Sequence, residues 1–164
     1  MKNLIKSLSL IVIALFMFSC GDSTKEEKDD VKLGDYSETP AKKETASTDP
    51  MENKGIGPVK NLDVPDEIDA DMAARGADLF KNMCSACHKM DKKFVGPAVA
   101  GVTERRTHEW IMNMILNPEQ MIKEDPIARK LLIESNMAVM ANQNLKEDEA
   151  RAILEYFRNY DRAN

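Results

Sequence analysis

Histidine and cysteine are scarce in this 164-residue chain, with two of the first, His88 and His108, and three of the second, Cys20, Cys84 and Cys87. A zinc centre takes four ligands, usually Cys and His, and too few of either stand apart from one short motif to complete such a site. Positive charge is also short: 23 Lys and Arg face 28 Asp and Glu, for a net charge of -5 and a sequence pI near 5.2. Nothing resembles a basic patch, which argues against a nucleic-acid partner, because phosphate binding needs a basic face. Long apolar runs are missing too. Leu8 to Phe18, interrupted by Ser9, is too short to cross a bilayer as a permanent helix. Between Gly21 and Pro65 the only aromatic residue is Tyr36, so that stretch lacks the apolar surface to fold. No internal repeat is visible, and no segment carries a strand pattern.

The amino terminus has its own chemistry. Lys2 and Lys6 precede the apolar run, and together they read as an export signal over residues 1–20. Ser19-Cys20-Gly21 closes it and resembles the lipobox of bacterial lipoproteins, in which the cysteine is lipidated and becomes the first mature residue. Met17 and Phe18 are bulkier than that pattern usually has. An ordinary cleaved signal, or an uncleaved anchor, with Cys20 incidental is the other reading, but an unpaired exposed thiol is a liability in an oxidising compartment. Residues 21–65, rich in Lys, Asp, Glu, Ser and Thr, are expected to be a flexible charged linker reaching about 5–6 Å times the square root of its length. The folded domain is expected over 66–164.

Against those absences stands Cys84-Ser85-Ala86-Cys87-His88, the one place where two thiols and an imidazole meet. Two cysteines at this spacing can add across the two vinyl groups of a haem as thioethers, and the adjacent histidine reaches the iron from the same side. Its second ring nitrogen then needs an outer acceptor to fix the tautomer. A thioredoxin-like dithiol competes, but it expects a strand before the motif, and the residues before Cys84 read as a helix. The expected cofactor is one covalent haem c. Covalent haem attachment in bacteria belongs to the exported side of the membrane, so motif and signal support each other.

Helical patterns surround the motif. Asp69-Ala70-Asp71 opens one in which Met72, Gly76, Leu79, Phe80 and Met83 recur at spacings of three and four. Glycine in mid-helix is less favourable than alanine by about 1 kcal/mol, so a close helix crossing is expected at Gly76. The partner is the last helix, Lys146 to Tyr160, with Ala150, Ile153, Leu154, Phe157 and Tyr160 as its stripe and Tyr156 beside them. Asn144 with Glu147 suggests its capping box. Thr107 caps a helix reaching Asn117, with Trp110, Ile111, Met114 and Ile115 inward and Pro118 past its end. Asp125-Pro126 starts another, running to about Ser135 with Ile127, Leu131 and Leu132 as its apolar side. Lys89, Lys92 and Lys93 read as a solvated loop, and His108 as a surface residue. The fold class is all-α, with long loops that need a large apolar body to pack against, which a haem supplies.

A helix running into Cys84–His88, then Gly96-Pro97, a methionine loop and a final amphipathic helix make the stretch from Ala70 to Asn164 resemble the class I cytochromes c, especially small bacterial ones. The resemblance implies His88 as proximal ligand, the Pro97 carbonyl as acceptor of its ring proton, and a distal methionine shortly before the last helix. Met140 holds that place in Met140-Ala141-Asn142-Gln143-Asn144-Leu145-Lys146-Glu147, with Ala141 where the family has proline and Lys146 where it has a capping serine. Met137 is its rival. Trp110 is a candidate contact for the haem edge or a propionate through its ring nitrogen, as in some relatives, against a plain core role. The implied function is electron transfer without catalysis, by a His/Met-ligated haem between membrane-associated respiratory partners: a quinol-oxidising complex on one side, a terminal oxidase or nitrogen-oxide reductase on the other. The domain would be lipid-anchored on the periplasmic side. A haem peroxidase, a gas sensor or, further off, a thiol oxidoreductase are the alternatives.

Overall fold

The structure, a computed structural model, describes residues 46–164. Among the described residues there are six helices and no strand: α1 (Ala70–Met83), α2 (Val102–Arg105), α3 (His108–Leu116), α4 (Pro118–Glu124), α5 (Pro126–Glu134) and α6 (Glu147–Ala163). The all-α expectation holds. The expected signal at residues 1–20, Cys20 and the linker as far as residue 45 lie outside the described residues.

Helices α1 and α6 pack on each other, at the glycine that sequence singled out. A Cβ on Gly76 would stand 1.9 Å from the Ala152 carbonyl oxygen, so the two backbones touch where any side chain would hold them apart. Asp69 starts α1 by accepting the Met72 N–H at 2.9 Å, which satisfies one of the free donors at its first turn. On α6, Ile153 and Leu154 are fully buried, each contributing about 1.5–3 kcal/mol. Phe80 of α1 meets Phe157 of α6 edge-on, with ring centroids 5.6 Å apart.

The capping box of α6 lies two residues later than expected. Lys146 is the N-cap, and its backbone N–H donates to Glu149 at 2.8 Å. Asn144 has φ 53, a left-handed conformation that removes it from the extended geometry an N-cap adopts. An ammonium has no acceptor for the reciprocal bond, so only the carboxylate half of the box operates. Two short helices also escaped the pattern. Pro118 is the first residue of α4 as well as the stop after α3, because proline suits a first-turn position whose N–H has no helical acceptor. The N-cap of α2 is Gly101, which has no side chain to cap it. Asp161 of α6 does so from across the fold, accepting Gly101 N–H at 2.6 Å and the Thr103 hydroxyl at 2.6 Å.

The largest correction concerns the linker. Its last twenty residues, 46–65, form an ordered strap against α3 and α4. Val59 is 4% exposed and Asn53 1%. Asn113, in the middle of α3, donates through Nδ2 to the Lys54 and Val59 carbonyls at 2.9 and 2.8 Å, and its Oδ1 accepts the Val59 N–H at 3.0 Å. Composition undercounts such a segment because it is held by backbone groups as much as by apolar side chains. His108, expected at the surface, is half-buried at the start of α3; burial, then Arg158, pulls its imidazole below the usual range. Lys89 and Lys93 are not simply solvated either: Lys89 donates to the Ser85 carbonyl at 2.6 Å, and Lys93 to that of Glu134.

Glu155 of α6 is buried between Arg151 and Arg158 at 2.6 and 2.7 Å and accepts the Asp69 N–H at 2.9 Å. Burial pushes its carboxyl up, but the bonds from Arg151, Asp69 and Arg158 outweigh it and leave the pKa below the ordinary 4.5. A depressed carboxylate stabilises the fold above its unfolded pKa and loses that contribution as pH falls through the folded one. Thermal melts should therefore lose stability progressively below pH 4.5, and Glu155→Gln should flatten that slope. An equally steep acid slope in the variant would place the acid-labile group elsewhere.

Candidate functional site

Helix α1 ends in a run of tight turns. Cys84 and Ser85 both donate to the Phe80 carbonyl at 2.9 Å, then Cys87 and His88 to that of Cys84 at 3.0 and 2.9 Å. These turns bring Cys84, Cys87 and His88 to the wall of one cavity of about 240 Å³, which Pro97, Trp110 and Met140 also line. Six residues singled out from sequence thus share one apolar hollow. Met137 is not on its wall and is 62% exposed.

His88 is held as an iron ligand has to be. Its Nδ1 stands 3.0 Å from the Pro97 carbonyl oxygen. A carbonyl can only accept, so Nδ1 carries the proton and Nε2 keeps the free lone pair. Gly96 lies flat against the ring: a Cβ there would meet His88 Cε1 at 2.5 Å. Its N–H donates to the Cys87 carbonyl at 3.0 Å, so the loop before Pro97 is tied back to the motif. Arg105 holds the loop's far side through the Ala98 and Ala100 carbonyls at 3.0 and 2.5 Å.

Electrostatics separates the readings of the two cysteines. Burial pushes the Cys84 thiol up to about 11, with Cys87 adding to it. A dithiol redox catalyst needs the reverse, a lowered pKa that exposes thiolate. The cavity fits a haem instead: it is apolar-walled, with two sulfurs and a nitrogen lone pair at one end. Arg106 lines it too, and its Nε is the one buried side-chain polar atom without a hydrogen-bond partner among the described residues. Burial, then Arg105, lowers the Arg106 pKa, a strain that an anionic group in the cavity would relieve. Haem carries such groups in its propionates.

Trp110 lines the cavity with its ring, but its Nε1–H donates to Asp125 at 3.2 Å. Indole has a single donor, so with Asp125 as its acceptor the ring nitrogen is not free for the expected contact to a propionate. At 3% exposure the residue belongs to the core. Sequence reasoning missed Arg106, Asp125 and the strap residue Asn53. Asn113, a polar residue inside the apolar run of α3, was the available signal, because a buried amide needs partners.

The family profile Cytochrome c matches residues 73–161. Among solved structures, cytochrome c from Rhodothermus marinus is 42% identical, with 66% of this chain and 92% of that one covered and a TM-score of 0.64. An engineered form of that protein, bound to a carbene intermediate, is 43% identical over 65% of this chain and 91% of that one, with a TM-score of 0.60. Cytochrome c2 of Rhodopseudomonas palustris is 56% identical over 34 residues, which span 21% of this chain and 29% of that relative. With more than half of its length matched by the family and its fold shared by a cytochrome c at 42% identity, the chain belongs to the cytochrome c family of electron-transfer proteins and carries covalent haem c.

Proposed function

We propose that this protein is a one-electron carrier whose haem is bonded through Cys84 and Cys87 and ligated by His88 and Met140. It would be anchored by lipid on Cys20 and work among membrane-associated respiratory complexes. The observation that carries the reading is that His88, with Nδ1 engaged by Pro97, and Met140 line the same apolar cavity. Bound there, haem supplies a one-electron Fe(II)/Fe(III) couple.

The chain's residues do the rest. Pro97 holds the His88 proton on Nδ1, which raises the basicity of Nε2 and fixes the ring plane. Gly96 keeps that ring from turning. Phe80, Ile153, Phe157 and the Trp110 face exclude water, so little solvent has to reorganise when charge changes. Arg106 offers a positive charge to the carboxylates. Met140 would hold the iron through its thioether, which would favour the reduced state and leave no place for a small molecule.

The partners belong to the same proposal. Quinol oxidation upstream and reduction of oxygen or nitrogen oxides downstream are the membrane reactions that a carrier of this kind would join. Anchoring on Cys20 with a charged linker raises the local concentration of the domain for such partners.

Intact-mass analysis of protein matured in an exporting host, taken from the membrane fraction, tests attachment and anchor together. One haem should remain on the polypeptide after acid-acetone extraction, and acyl mass should map to Cys20. Extractable haem would refute the thioether bonds; a chain still carrying its signal, or cleaved without acyl groups, would refute the lipid anchor.

A further inference from the structure

The Trp110–Arg106 wall of the cavity is braced from behind by the strap. Asp125 is fully buried and accepts three hydrogen bonds: Trp110 Nε1–H at 3.2 Å and Ala128 N–H at 2.7 Å on Oδ1, and Asn53 Nδ2–H at 2.6 Å on Oδ2. Asn53 is engaged on its other side as well. Its Oδ1 accepts the Gly55 N–H at 2.7 Å, and its backbone carbonyl accepts the Thr107 hydroxyl at 2.6 Å. That same hydroxyl accepts the Trp110 N–H at 3.1 Å as the cap of α3. One strap residue therefore pins Trp110 twice, at its ring nitrogen through Asp125 and at its backbone through Thr107. The Arg106 guanidinium lies 5.3 Å above that ring, and the arginine and the indole both face the cavity.

We propose that Asn53 is a positioning residue for the haem environment. Through Asp125 and Thr107 it orients the Trp110 ring on which Arg106 rests, fixes where the guanidinium stands at the cavity wall, and so sets the reduction potential. The proposal rests on the reading above that this cavity holds the redox haem. A positive charge held beside the cavity opposes the more positive ferric state, so it raises the potential. A guanidinium that drifts toward solvent loses that effect through dielectric screening. The strap follows directly on the residues outside the described structure, so the end of the linker and the haem environment meet at Asn53.

The geometry supplies its own rescue. Asn53→Asp sets two carboxylates in contact, and Asp125→Asn sets two NH₂ groups face to face. In the double variant every bond is restored. The new amide at position 125 offers its oxygen to Trp110 and Ala128 and its NH₂ to the new carboxylate at position 53, whose other oxygen still accepts Gly55 N–H. Reduction potential, the near-UV circular dichroism of Trp110, the chain's one tryptophan, and the pyridine haemochrome are measured on each holoprotein. The expected result is a lowered potential and a weakened tryptophan signal in both single variants, both restored in the double. A wild-type potential in the single variants, with only thermal stability reduced, overturns the proposal. So does a double variant that folds without recovering the potential. Where a single variant does not fold, Asn53→Ser removes the amide donor without adding charge; a lowered potential supports the coupling and an unchanged one refutes it. Failure of the underlying haem reading looks different, because the wild type itself would then lack a haem c haemochrome.

Discussion

With Met140 as the proposed ligand, Met140→Ala is expected to abolish the ferric charge-transfer band at ~695 nm that a thioether on iron would give, and to lower the reduction potential by a substantial part of the roughly 0.8 V that axial ligands span. A neutral, soft sulfur stabilises ferrous iron; Met83 and Met114 also line the cavity, so Met114→Ala and Met83→Ala are the controls, and both are expected to keep the band. Met137 is 62% exposed, so Met137→Ala leaves band and potential as they were. The wild-type band is also expected to fade on heating before the helices melt. Among the described residues, residues 139–145 are tied to the rest of the fold by one hydrogen bond, Asn142 Nδ2 to the Leu116 carbonyl at 3.4 Å. Asn144 within this loop, and Asn136 and Met137 just before it, have left-handed φ, a conformation that costs roughly 1–2 kcal/mol per non-glycine residue. Ala141 also lacks the fixed φ that proline would supply. Visible spectra and far-UV circular dichroism along one melt check this. A band that survives Met140→Ala would move the ligand to another methionine, Met114 and Met83 being on the cavity wall and Met137 off it. A wild type that lacked the band and bound carbon monoxide readily would favour a peroxidase or gas sensor over a carrier.

Gly76→Ala breaks the α1–α6 crossing. Helix propensity alone favours alanine by about 1 kcal/mol, so the sign is decided by space. The added Cβ would stand 1.9 Å from the Ala152 carbonyl oxygen and 2.5 Å from its carbon. Both atoms are backbone, which cannot rotate aside as a side chain can. Overpacking of a core typically costs about 1–3 kcal/mol even where side chains yield, so a net loss of at least about 2 kcal/mol is expected here. That is large against a total stability of about 5–15 kcal/mol and corresponds to a drop in Tm of about 10 °C. A Tm raised by the substitution would mean that the helices do not cross at this glycine.

Much of the site could be read along the chain because its parts are local. Cys84, Cys87 and His88 are brought together by turns of three and four residues, and Met72, Phe80, Ile153 and Phe157 announce their helix faces through spacing alone. Asp69, Thr107 and Asp125 cap the helices that they precede, since a cap is a bond to a residue three positions on. Pro97 and Met140 followed from resemblance, and both line the cavity with His88.

What could not be read depends on partners far apart in sequence. The α6 box moved from Asn144 to Lys146 because the loop before it turns left-handed, and α2 is capped by Asp161, about sixty residues downstream. The strap looked like linker because hydrophobic content was its only legible property. Its order comes from Asn113, Thr107 and Asp125, buried polar groups that need partners but do not name them in sequence. The direction of the Trp110 N–H belongs to the same class: composition places an indole in the core, and only the approach of a carboxylate fifteen residues away decides whether its donor faces the cavity or the strap. Local pattern therefore determined four of the six described helices and the haem-binding motif, whereas long-range satisfaction of buried polar groups decided where the folded domain begins and which side chains brace the cavity.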